Sequence, residues 1–434
     1  MQSNILVDSS NMNVAISKKR ETDRSKNVYL YKIIFILILI PYFKPVGIAT
    51  YPLLNKVFQC GKICTLFFSF LYIINNSKLK LKLNNYFKGI CSLVLFEGIY
   101  IINTIIYKTS FSDVLNNAIT NIFLLCFVYF ALMGHDKKIF LDAVNILFSI
   151  ELFLHIVSVV LAQIGYGIFD IGAVNEYTYL FGRDNYSAFA VLPMLGIVIY
   201  IDEIKMMSAN KYLILVKDYA LIIGLLFCYV WVKSATASVI FMLFFCAFVF
   251  KSICRKILAF FDIKKTIILI IIFLVAVIVF NAPTYLASFL SMVFDKGIKG
   301  VTLNSRTIIW DMAIKLIKEK PFLGWGVLSD DQIVNYVLYG TEHTHNIVLE
   351  LMLRTGIIGL GWYLFFLFGA CKNYKKIIKS NGLILIVTLQ CFLLLSVMDT
   401  YLLMQQQYCL IGFIYCYGLQ CQYDSNVIEG KRNG

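Results

Sequence analysis

The chain has 434 residues, of which 60% are hydrophobic and only 15% charged, with a mean hydropathy of +0.78 and a net charge of +14. That balance excludes a disordered chain, a fibrous repeat and a small secreted disulfide scaffold. It leaves an all-α, polytopic integral membrane protein, in which the basic excess fixes orientation rather than binding nucleic acid.

Residues 1–27 are polar and carry Lys18, Lys19, Arg20, Arg24 and Lys26. The apolar run behind them lacks a small-residue cleavage signature, so they read as an uncleaved cytoplasmic tail. Twelve apolar stretches follow, at 28–43, 57–75, 88–107, 114–133, 139–164, 186–201, 212–232, 235–250, 266–283, 346–370, 382–400 and 406–421. Each is read as one crossing of the bilayer. The expected organisation is therefore transmembrane helices 1–9 over 28–283, a long outer loop over 284–345, helices 10–12 over 346–421, and a second cytoplasmic tail over 422–434. Most cysteines lie inside apolar runs and behave as small hydrophobes, while Cys60 and Cys64 have a spacing that could pair them.

Lys and Arg crowd alternate connections, among them Lys78, Lys80, Lys82, Lys137, Lys138, Lys251, Arg255, Lys256, Lys372, Lys375 and Lys376. The positive-inside rule puts those connections, and both termini, on the cytoplasmic side.

The long outer loop is patterned. Asn304 or Ser305 can cap a helix whose first turn contains Arg306. Ile308, Ile309, Met312, Ala313, Leu316 and Ile317 give it an apolar face, and Thr307, Asp311, Lys315 and Lys318 line the other. Pro321 and Gly324-Trp325-Gly326 stop it. Such a helix is expected to lie on the membrane surface.

The outer face should carry few cations, yet Arg183, Lys233, Arg306 and His345 all fall there. Together they suit a lipid-linked pyrophosphate, because Arg binds phosphate in a bidentate fork. Asn185 and Asn346 stand beside them. Aromatic residues near the outer segments, including Tyr177, Tyr179, Phe181, Trp325 and Tyr336, could stack on sugar rings. His343 and His345, with Glu342, could be read as metal ligands. General-base work at His345 suits a group titrating near neutrality better, and no metal and no cofactor is expected. Several ionisable residues lie within spans, namely Glu97, Glu151 with His155, Glu350 with Arg354, and Asp399; the two pairs are four apart and each shares a helix face. The second pair reads as self-neutralising, and the first as a possible proton relay. Gly356-Ile357-Ile358-Gly359-Leu360-Gly361 lies in an apolar span and suits close helix packing.

Asn304-Ser305-Arg306-Thr307-Ile308-Ile309-Trp310, then Pro321-Phe322-Leu323-Gly324-Trp325-Gly326, then His345-Asn346 and Gly356 resemble the core of the O-antigen ligase and polysaccharide polymerase superfamily. Phe181-Gly182-Arg183-Asp184-Asn185-Tyr186 is similar to the family's Asn-bearing outer segment. The early Ile40-Pro41-Tyr42-Phe43-Lys44-Pro45 is similar to a first-span ending of polymerase members. Where many members, ligases above all, carry Ser-Arg, this chain reads Lys233-Ser234-Ala235-Thr236.

The resemblance implies a GT-C-like membrane glycosyltransferase of the bacterial inner membrane. It would act at the outer face on undecaprenyl-pyrophosphate-linked oligosaccharide, with a flippase and a chain-length regulator as possible partners. It implies His345 and Arg306 as catalytic residues, and Arg183, Asn185, Lys233, Asn346, Trp310 and Trp325 as binding residues. The expected activity is repeat-unit polymerisation for O-antigen, capsule or another surface polysaccharide. The alternatives are ligation of glycan to lipid A core and, from a different class, flipping of the lipid-linked oligosaccharide.

Overall fold

An apolar segment in a bilayer must satisfy its backbone polar groups within itself, and helices follow. The computed structural model describes residues 28–76, 85–107, 111–167, 169, 179–206, 210–280, 301–327, 343–399 and 404–432. Side chains are described except at 85, 184, 274–280, 301–308 and 422–432. Among these residues there is no strand, only one isolated bridge between Tyr179 and Gly182.

The helices in chain order are α1 (Val28–Leu39), α2 (Pro52–Asn76), α3 (Asn85–Ile106), α4 (Phe111–Met133) and α5 (Lys137–Gln163). Then come α6 (Asp184–Lys205), α7 (Lys211–Trp231), α8 (Ala235–Val249), α9 (Lys251–Phe260) and α10 (Ile263–Phe280). The last five are α11 (Val301–Glu319), α12 (Ile347–Ala370), α13 (Tyr374–Lys379), α14 (Leu383–Met398) and α15 (Gln405–Arg432). Each of the twelve apolar stretches contains a helix. Among the described residues seven helices are long and apolar enough to cross a membrane, namely α2 to α7 and α12. The α8–α9 pair, bent by 110°, is an eighth candidate as a broken span or re-entrant loop.

The amphipathic α9 is not among the expected elements, since its basic residues read as a connection. Lys251 anchors it, donating to Glu203 on α6 at 2.6 Å. Cys60 and Cys64 are free thiols on the exposed side of α2.

The core gathers around α6, which is almost wholly buried and packs against α5, α7, α8, α14 and α15. α6 and α14 run antiparallel and close: Phe189 meets Phe392 edge-on at 5.3 Å, and a Cβ at Gly196 would fall 2.0 Å from Thr388 Oγ1. A second tight pair is α3 on α12, pinned by the Ser92 hydroxyl donating to the Trp362 carbonyl at 2.6 Å. At one end of the bundle, Lys32 and Lys205 pair with Asp142, and Lys217 pairs with Asp202. The other end of α6 begins at Arg183, and the candidate site lies at that end.

The loop helix α11 departs from expectation at its start. It begins at Val301, so Asn304 and Ser305 lie inside it rather than ahead of its first turn. Arg306 is then a second-turn rather than a first-turn residue. Val301, Thr302 and Leu303 contain no breaker, and the helix runs back through them. Its apolar face packs against the bundle. Ile309, Trp310 and Leu316 are buried against Leu349 and Leu353 of α12, with Phe273 of α10 beside them. Asp311, Lys315 and Lys318 face outward as their spacing requires.

Candidate functional site

Asn346 begins the site. Its side-chain Oδ1 accepts from the backbone N–H of Val348 at 3.0 Å and of Leu349 at 3.2 Å, which caps the first turn of α12. Its Nδ2 donates to the Val397 carbonyl at 2.9 Å, tying that cap to the end of α14. The cap thus fixes where the preceding residue stands.

That residue, His345, has φ of +54°, a backbone conformation uncommon for a side-chain-bearing residue. Its neighbours hold it there. Thr344 N–H donates to Glu350 Oε2 at 2.8 Å, and the Thr344 hydroxyl donates to the Asn346 carbonyl at 2.9 Å. The Trp310 indole N–H donates to the Thr344 carbonyl at 2.8 Å. Strain of this kind, on the order of 1–3 kcal/mol, survives where the surroundings over-determine it, and it concentrates at functional sites. The consequence is that His345 Nδ1 lies 3.0 Å from Asp399 Oδ1.

Beside it, the His343 ring meets His345 edge-on at 4.1 Å. Burial, and then the neighbouring His345, push the His343 imidazole below the ordinary histidine range, against the opposing pull of Asp399 and Glu350. His343, His345 and Asp399 each offer one ligand atom, all within 4.8 Å of one another, so among the described residues these three could hold a metal ion. Glu342, the third ligand suggested by sequence, lies outside the described residues.

The Pro321–Gly326 turn is the second support. α12 breaks at Gly356, which has φ of +62° and ψ of −170°, a region open in practice only to glycine. The break frees backbone groups, and the turn satisfies them. Trp325 N–H donates to the Leu353 carbonyl at 2.8 Å and Gly326 N–H to that of Arg354 at 2.9 Å. In return, Ile357 N–H donates to the Pro321 carbonyl at 2.9 Å. A Cβ at Gly356 would sit 2.2 Å from the Phe322 carbonyl oxygen. Of Gly356, Gly359 and Gly361 the first serves that turn, while a Cβ at Gly359 would meet Thr355 of its own helix and one at Gly361 would meet nothing within 4 Å. Asn103 of α3 closes the joint by donating to the carbonyls of Leu323 and Arg354.

Below the break, Arg354 pairs with Glu350 and donates to the Tyr100 hydroxyl at 3.1 Å. All three are buried or nearly so, and this is the self-neutralised pair expected from their spacing.

Both tryptophans act as struts. Trp310 is 1% exposed, so its expected contact with glycan gives way to holding Thr344. Trp325 donates its indole N–H to the Leu316 carbonyl at 2.9 Å, and Lys320 Nζ lies 3.5 Å from its ring centre.

A second cluster stands at the α6 end. Arg183 is the N-cap residue of α6 and is half-buried. Asn185 Oδ1 accepts from the Ser234 hydroxyl at 2.6 Å and from Ala237 N–H at 3.3 Å, joining α6 to the start of α8. Lys233, in the α7–α8 turn, has φ of +61°. Because α6 and α14 are antiparallel, with Phe189 against Phe392, Arg183 and Asn185 emerge at the same end as Asp399. The Arg306 side chain, Tyr177 and Tyr336 lie outside the described residues.

Residues 220–364 match the family model of O-antigen ligase. The match supports the O-antigen ligase and polymerase superfamily. It covers about a third of the chain, from α7 to just past the Gly356 break. Lys233, Arg306, Trp310, Trp325, His345 and Asn346 fall inside it, while Arg183, Asn185 and Asp399 fall outside. Comparison with curated proteins finds no match. The apolar helices and the O-antigen ligase match together indicate an integral membrane protein.

Asp399 is the residue that sequence reasoning under-read. It appeared there as one intramembrane charge among several. Its distance from His345, 54 positions along the chain, hid the pairing.

Proposed function

We propose that the protein is a repeat-unit polymerase that moves a growing glycan from undecaprenyl pyrophosphate onto the free end of an incoming lipid-linked repeat. The observation that carries this reading is the His345–Asp399 pair. With Nδ1–H donating to the carboxylate, His345 keeps Nε2 as a proton acceptor. The acceptor hydroxyl gives its proton to Nε2 and attacks the anomeric carbon. The bond from that carbon to the pyrophosphate oxygen breaks, and the electron pair leaves with the pyrophosphate. Arg306 and Arg183 are assigned to absorb the charge that develops there, with Lys233 and Asn185 beside them.

The topology proposed with it has twelve spans, both termini in the cytoplasm of a bacterial inner membrane, and 284–345 on the outer side. The polymerase reading needs no metal, so activity should survive a chelator. Ligation of glycan to lipid A core is the second reading, favoured by the description of the matched family. The Lys233-Ser234 sequence, in place of the ligases' Ser-Arg, weighs against it.

The test is deletion of the gene, with surface glycan run on a gel beside the extracted lipid-linked pool. Single repeats on the final acceptor, without a ladder, are the expected result. Long chains stranded on the lipid carrier would mean ligase instead. Single repeats trapped on the cytoplasmic face would mean export and would remove the catalytic assignment.

A further inference from the structure

The end of the bundle remote from His345 carries a separate feature. α12 runs from Ile347, next to the site, through the break at Gly356 to Ala370 at the other end of the bundle. There a cavity of about 710 Å³ opens between the start of α3, the α9–α10 turn, the end of α12 and α13.

Five lysines line it: Lys88, Lys264, Lys372, Lys375 and Lys376, all exposed. Among the described lining residues the one carboxylate, Asp262, accepts from Lys265 N–H at 3.0 Å at the start of α10. Phe365 and Phe368 form an apolar wall, and Lys264 Nζ lies 6.0 Å from the Phe368 ring centre. The floor is Tyr415, whose hydroxyl donates to the Phe366 carbonyl at 2.6 Å. Two glycines leave room for it, since a Cβ at Gly89 or Gly369 would fall 2.4 or 2.2 Å from that hydroxyl.

Like charges gathered at one mouth repel, and an anion relieves that repulsion. A free phosphate would use the lysines and leave the phenylalanine wall unused. A phospholipid uses both, and Phe365, 52% exposed, opens that wall toward the acyl region. Basic pockets between spans on the lysine-rich face meet the leaflet that holds anionic lipid. We propose that this cavity binds the headgroup of an anionic phospholipid. Its phosphate sits among Lys264, Lys372, Lys375 and Lys376, and its acyl chains lie along Phe365 and Phe368. The proposal stands apart from the polymerase reading and survives its failure.

The test uses the full chain, delipidated in mild detergent and titrated with phosphatidylglycerol or phosphatidylcholine under native mass spectrometry. The expected result is tighter binding of phosphatidylglycerol, unmoved by inorganic pyrophosphate. Lys264→Ala/Lys375→Ala/Lys376→Ala should weaken it roughly a hundredfold, from about one surface-lysine increment per residue. The matching triple Arg variant, which keeps charge and fold, should restore it. Equal binding of the two lipids, displacement by pyrophosphate, or full binding by the triple Ala variant would overturn the proposal.

Discussion

His345 Nδ1 and Asp399 Oδ1, 54 positions apart in the chain, meet at 3.0 Å where α12 begins and α14 ends. In the mechanism proposed above, the carboxylate orients the imidazole and stabilises it once it has taken a proton from the acceptor. Asp399→Asn keeps the shape and removes the charge. Turnover of lipid-linked repeat by the purified protein should fall about a hundredfold or more, the scale of general-base catalysis, with little change in KM. Turnover at the native rate would detach Asp399 from the chemistry.

Gly356 is the socket for the Pro321–Gly326 turn. Gly356→Ala forces a side-chain-bearing residue into a glycine-only conformation and drives its Cβ toward the Phe322 carbonyl. A loss of at least about 1–3 kcal/mol is expected from the backbone alone. Thermal unfolding of the purified variant reads it out, and an unchanged midpoint would mean the turn is not seated there.

The sequence made part of this arrangement legible. Ile309, Ala313 and Leu316 are spaced as one helix face, and that face is the buried one. Glu350 and Arg354 read correctly as a pair because i,i+4 spacing is a local rule. The start of α11 was misread because Asn304 and Ser305 are good caps by type, yet nothing before them breaks the helix. The Pro-x-x-Gly-x-Gly turn was visible, but not its destination in the α12 break, which depends on backbone groups some thirty residues away. Asp399 was seen and left unpartnered, because pairing across helix ends is a tertiary fact. Trp310 read as a ligand contact because an exposed and a buried tryptophan look alike in sequence.

Glu350 serves three groups at once: the Thr344 N–H, the Arg354 guanidinium and, through Arg354, the Tyr100 hydroxyl. Glu350→Leu strands a buried cation and should cost roughly 3–5 kcal/mol. Replacing both partners, as Glu350→Leu/Arg354→Met, should cost less than the sum of the two single changes. Denaturation of all three variants forms the double-mutant cycle, and strict additivity would contradict the pairing.

His343 gives the stability a pH dependence of known sign. Burial holds its folded-state pKa below the unfolded value of about 6.5. Between those two values the unfolded chain binds more protons, so stability rises with pH through that window and falls on acidification. His343→Gln should flatten the acid side of a plot of melting midpoint against pH. An unchanged slope would show that other groups set it.

The most direct test of the central claim is glycan transfer by the purified protein, supplied only with a lipid-linked repeat as both donor and acceptor. A ladder of polymer is predicted from the wild type, with none from a folded His345→Ala variant. A full ladder from His345→Ala, or transfer from the wild type only when lipid A core is added, would contradict it.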